Sequence, residues 1–139
     1  TGIRRCGKST LLKQFQNYLT DNGVTEEQII SINFEDLEFE DLLDYRSLYK
    51  YVKNNLLPDK KMYVFLDEIQ KVSNFEKAVD SLYIQKNVDV YITGSNAYML
   101  SSDLSIFISR YIEISMLPLS LKKFMKKKAE TKKKFLTNI

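Results

Sequence analysis

The chain has 139 residues, a formal net charge of +3, 44% hydrophobic residues and 12% aromatic residues, as expected for one soluble globular core. A single cysteine and no histidine exclude an internal disulfide, a cysteine-cluster or histidine zinc site and a Ser-His-Asp triad, and favour a reducing cytoplasm. No apolar run nears the roughly 18 residues of a membrane span and no secretory pattern opens the chain, so no membrane partner is expected.

The first element is a loop. Gly2-Ile3-Arg4-Arg5-Cys6-Gly7-Lys8-Ser9 follows the pattern G-x-x-x-x-G-K-S, the phosphate-binding loop. Glycines at both ends let the backbone curl around an anion, with successive N–H groups turned inward and a helix N-terminus adding positive potential. The phosphate-binding positions are therefore Gly2, Arg4, Arg5, Cys6, Gly7, Lys8, Ser9 and Thr10. Lys8 reaches the β- and γ-phosphates as a point charge, and the Ser9 hydroxyl is a ligand for Mg²⁺. The alternative is a glycine-rich turn before a helix.

A helix is predicted over 8–21, with Leu11, Leu12, Phe15, Tyr18 and Leu19 on one face, stopped by Asn22-Gly23. Thr25-Glu26-Glu27-Gln28 carries a capping-box pattern, and Ile29–Phe34 reads as a buried strand. Glu35 and Asp36 end that strand, either as acids near a phosphate site or as solvated acids. A helix is predicted over 37–57, with Leu42, Leu43, Leu48, Tyr51, Val52 and Leu56 inward, before a turn at 58–61. Met62-Tyr63-Val64-Phe65-Leu66-Asp67-Glu68 is an apolar strand delivering two carboxylates to its C-terminal edge, where ligands of open α/β sheets bind. Asp67 is assigned to Mg²⁺ and Glu68 to the attacking water. A strand that merely ends in a solvated acidic turn is the alternative.

Asn74 is placed as the cap of a helix from Phe75 to about Gln85, burying Phe75, Val79, Leu82 and Tyr83. The strand Val88–Thr93 runs into Gly94-Ser95-Asn96. There Ser95 or Asn96 is a candidate for the γ-phosphate or its water, or Asn96 caps a helix over 97–100. Arg110 precedes a last strand, Tyr111–Leu117, and either reaches a phosphate, in cis or in a neighbouring subunit, or is a surface charge. Residues 122–139 hold eight lysines and one acid, leaving 13 bases and 17 acids, net −4, in residues 1–121. The domain is accordingly bounded at 1–121, with 122–139 as a lysine-rich tail. Such a tail is a solvated end or a weak, non-specific, salt-sensitive contact for nucleic acid.

These segments resemble the prokaryotic AAA-type ATPases of the AAA+ superfamily that carry an uncharacterised C-terminal domain. The resemblance lies in Gly2 to Leu12, Ile32-Asn33-Phe34-Glu35-Asp36, Val64-Phe65-Leu66-Asp67-Glu68-Ile69-Gln70, Ile92-Thr93-Gly94-Ser95-Asn96-Ala97 and Met116-Leu117-Pro118-Leu119-Ser120. It implies an α/β fold, a three-layer α/β/α P-loop domain with a mostly parallel sheet. It also implies ATP and Mg²⁺ as cofactors, Asp67-Glu68 as the Walker B pair and Asn96 or Ser95 as the sensor. The family's first strand does not precede Gly2 in this sequence; in the family's order it lies between Val88–Thr93 and Tyr111–Leu117. Ser109-Arg110-Tyr111 lacks the glycine of the family's Ser-Gly-Arg-Tyr, and the sequence stops before the C-terminal domain.

The expected function is ATP binding with Mg²⁺-dependent hydrolysis; the alternative is a truncated nucleotide-binding or interaction module without significant ATPase activity. Without its first strand the isolated chain is expected to turn over little ATP. Self-association or a partner protein is an open expectation. A GTPase is disfavoured because no Asn-Lys-x-Asp stretch is present, and a small-molecule kinase would leave the Asp-Glu pair unexplained.

Overall fold

Three parallel strands form the middle layer of a computed structural model that describes residues 7–94. In chain order the elements are α1 (Lys8–Asp21), β1 (Ile29–Asn33), α2 (Tyr45–Asn55), β2 (Met62–Asp67), α3 (Phe75–Tyr83) and β3 (Val88–Ile92), with 3₁₀ turns at Glu26–Gln28, Leu37–Leu42 and Ile69–Lys71. The sheet order is β1-β2-β3, so the apolar strand with two acids at its end lies in the middle. The register pairs Ser31 with Phe65 and Phe65 with Tyr91, and one step on it pairs Leu66 with Ile92. Gly2, Arg4, Arg5, Cys6, Ser95, Asn96, Arg110, the strand expected at 111–117 and the lysine tail lie outside the described residues.

Alternation along the strands divides the side chains between two unequal faces. Ile30, Ile32, Met62, Val64, Leu66 and Val88 turn to one side and join Leu48 and Val52 of α2 and Phe75, Ala78 and Leu82 of α3 in the hydrophobic core. Phe65 and Tyr91 turn to the other side, with their rings stacked at 4.9 Å. Phe15 of α1 covers them, its centroid 6.0 Å from Phe65 and 5.0 Å from Tyr91. The result is a helix, a sheet and two helices in three layers, as expected for this fold class.

Helix α1 occupies the predicted residues but is rotated from the predicted face. Lys8, Gln16 and Leu19 are buried, while Leu11 and Tyr18 are exposed. Gln16 donates from Nε2 to Ser31 Oγ at 3.0 Å, a polar fit that an apolar-face count passes over. The helix stops as expected: Gly23, at φ 93, lets its N–H reach the Thr20 carbonyl while the Val24 N–H reaches that of Leu19. The capping-box pattern is also borne out, the Thr25 N–H donating to Gln28 Oε1 at 3.1 Å.

Three expectations need correction. The helix predicted over 37–57 is broken, because Asp44 turns extended and caps α2 through the N–H groups of Arg46 and Ser47. Tyr51 and Tyr83 are exposed rather than in the core, and Ala78 is buried in the latter's helix. Asn74 occupies the N-cap position of α3 but in a left-handed conformation, with no hydrogen bond from its side chain to the helix. Among the described residues no helix is long and apolar enough to cross a membrane.

Candidate functional site

Gly7 opens α1 at φ 92, ψ 17, a left-handed conformation that a side chain disfavours, and its carbonyl accepts the Leu11 N–H at 2.9 Å. A methyl group at Gly7 would meet no atom within 4 Å, so the glycine answers to backbone angle and not to space. Lys8 follows and is only 6% exposed. Residues 22–28 carry the chain from the end of α1 to the start of β1, and Phe15 sits over the middle of β2 and β3. Lys8 lies about two helical turns before Phe15, roughly 10 Å along the axis. The start of α1 therefore stands at the sheet edge where the parallel strands finish.

Asp67 and Glu68 reach the same edge from β2 and are 7% and 8% exposed. Asp67 shares the face of Phe65, the one that α1 covers, by strand alternation. Its backbone is pinned from both neighbours: the Phe34 N–H donates to the Asp67 carbonyl at 3.1 Å and the Thr93 N–H to the Leu66 carbonyl at 3.0 Å. Glu68 leaves the strand at φ 59, ψ 46, a region that few residues other than glycine occupy. Gln70 Nε2 donates to Glu68 Oε2.

Thr93 and Gln70 fall inside the segments that carry the family resemblance, but the motifs give them no role of their own. The Thr93 hydroxyl donates to Asp67 Oδ1 and accepts the Glu68 N–H at 3.1 Å. The pairing of Leu66 with Ile92 puts the next residues, Asp67 and Thr93, side by side. In sequence Thr93 is a hydroxyl at the end of an apolar strand, and nothing local points it at Asp67. Of the two acids weighed for the phosphate site, Asp36 caps the 3₁₀ turn that follows it, accepting the Glu38 N–H at 3.0 Å, and both it and Glu35 are exposed. Ser9 and Thr10 are exposed on the first turn of α1.

Beside a buried lysine behind a left-handed glycine, and two buried acids ending the central strand of a parallel sheet, stands a sequence match to the AAA domain family over residues 1–125. The chain belongs to the AAA domain family. As an AAA domain it is a nucleotide-binding, ATPase-like module of a family that uses nucleotide, typically with Mg²⁺. It is 39% identical over 127 residues to an uncharacterised protein of Haemophilus influenzae, covering 90% of this chain and 32% of that protein. It is 32% identical over 143 residues to the uncharacterised protein MJ1544 of Methanocaldococcus jannaschii, covering 98% of this chain and 30% of that one. The AAA domain thus spans about a third of the length of these relatives. Solved structures offer no significant match to it.

Proposed function

We propose that this AAA domain binds ATP and hydrolyses it with Mg²⁺, in a cytoplasmic protein. What carries the proposal is the convergence of Lys8, Asp67 and Glu68, all buried, on one edge of a parallel sheet. Lys8, with the N–H groups of Gly2, Arg4, Arg5, Cys6 and Gly7, holds the phosphates, and Thr10 continues that first turn. Asp67 and Ser9 offer a carboxylate and a hydroxyl, the hard oxygen donors that Mg²⁺ takes. When bound, that ion neutralises charge on the β- and γ-phosphates. Glu68 orients and polarises the attacking water, Ser95 or Asn96 meets the γ-phosphate, and Arg110 reaches a phosphate in its own or a neighbouring subunit. Residues 1–121 form the ATPase domain in this proposal, and 122–139 a tail with weak, salt-sensitive attraction to nucleic acid.

Two substitutions test the assignment. Lys8→Ala removes a charge-assisted contact and should weaken ATP binding by roughly ten- to a hundredfold. Glu68→Gln keeps the shape and removes the base, so ATP binding should persist while turnover falls by about 10²–10⁴-fold. Hydrolysis by Glu68→Gln at the unmutated rate would overturn its role. Binding without turnover by the unmutated protein would leave a nucleotide-binding module that is not an ATPase.

A further inference from the structure

We infer that Thr93 is a positioning residue for the Asp67–Glu68 pair, acting through its hydroxyl and without touching the nucleotide. The inference rests on the ATPase function proposed above. A threonine hydroxyl has one proton to donate and lone pairs to accept with. At Thr93 both capacities are spent on the pair: the proton goes to Asp67 Oδ1, and the oxygen takes the Glu68 N–H at 3.1 Å. The first bond restricts rotation of a carboxylate proposed to hold Mg²⁺. The second pins the amide of a residue whose backbone sits at φ 59, where a non-glycine needs outside support. One buried hydroxyl, just past the end of a neighbouring strand, thus sets both the would-be metal ligand and the would-be base.

The hydroxyl is separable from the fold. Thr93 is held independently by its main chain, its N–H on the Leu66 carbonyl and its carbonyl on the Ile69 N–H, each at 3.0 Å. Replacing the hydroxyl by a methyl group leaves those two bonds in place and removes only the ties to the acids. A merely structural hydroxyl would affect stability alone. A positioning one must show in how the site handles Mg²⁺.

The test compares Thr93→Val, which keeps the shape, with Thr93→Ser, which keeps the hydroxyl. Binding of a fluorescent ATP analogue is measured in EDTA and across a Mg²⁺ titration, with kcat and KM and thermal unfolding alongside. For Thr93→Val, affinity in EDTA should stay within about twofold while Mg²⁺ affinity falls roughly 10–100-fold, the usual range for loss of a partner to a metal ligand. Its kcat should fall with little change in KM, and Thr93→Ser should restore both properties. An unchanged Mg²⁺ titration and kcat in Thr93→Val, or no rescue by Thr93→Ser, would overturn the inference. Should Thr93→Val fail to fold, Thr93→Ala takes its place, and failure of both would show the hydroxyl to be a structural tie. An unmutated protein that binds the analogue in neither medium would overturn the ATPase proposal and this inference together. That result is distinct from normal binding with an indifferent Thr93→Val.

Discussion

Tyr91 shows how one side chain's surroundings become a property of the molecule. Its ring stacks on Phe65 and meets the edge of Phe15, and burial raises its phenol above the ordinary value of 10.0, helped by the charge of Asp89 and by Tyr63. The folded state therefore holds the phenolic proton more tightly than the unfolded chain. The stability that follows is present below about pH 10 and is lost as pH rises from there through the folded value. Urea midpoints measured across that range should fall more steeply for the unmutated protein than for Tyr91→Phe. Parallel curves would show that the phenol contributes nothing. At the same scale, Glu68 and Gly7 occupy left-handed backbone for different reasons. Gly7 does so without a side-chain penalty, whereas the Glu68 amide is held by Thr93.

Among the elements, α2 shows how a single cap can decide where a helix begins. The apolar spacing from Leu37 to Leu57 is compatible with one helix, yet Asp44 breaks it and starts α2 with its own carboxylate. The Asp44 carbonyl accepts the Leu48 N–H at 3.0 Å, and the neighbouring Tyr45 N–H is anchored on the Ser73 carbonyl at 3.2 Å. The break lets Leu48 and Val52 reach the core while the preceding 3₁₀ turn folds along a different line. Asp44→Ala should cost about 1 kcal/mol of stability, the usual loss for an N-cap, while nucleotide binding is retained. Chemical denaturation checks this, and a change below a few tenths of a kcal/mol would mean that tertiary packing alone sets the helix start.

For the whole molecule, the two sheet faces do different work. Among the described residues, the face under α2 and α3 carries the hydrophobic core, whereas the other is covered by α1 through Phe15, Gln16 and few other buried groups. Because α1 also begins with Lys8, the packing of Phe15 seats the proposed phosphate site. Phe15→Ala and Leu82→Ala should both destabilise the fold, by about 3–5 and 2–5 kcal/mol respectively at full burial, with Phe15, only half-buried, toward or below the lower end. In conditions where both variants are folded, Phe15→Ala should weaken ATP binding and Leu82→Ala should leave it near normal. Equal affinities in the two variants would mean that α1 does not need this contact to hold the lysine.

Much of this was legible in the chain alone because it depends on short-range spacing. The loop pattern through Lys8, the glycine stop of α1, and the strands at 29–33, 62–67 and 88–92 follow from periodicity and from residues that break it. The acids at the end of β2 were legible for the same reason. Which face of α1 turns inward was not, since Gln16 is buried by a partner, Ser31, fifteen residues away. The break at Asp44 was hidden too, because a cap competes with a helix that the apolar spacing permits equally. Thr93 depended most on tertiary structure. It meets Asp67 because β2 and β3 pair in this register, and a slip of one residue would turn its hydroxyl to the opposite face. Register is settled by the packing of both sheet faces at once, and no local run of residues carries that information.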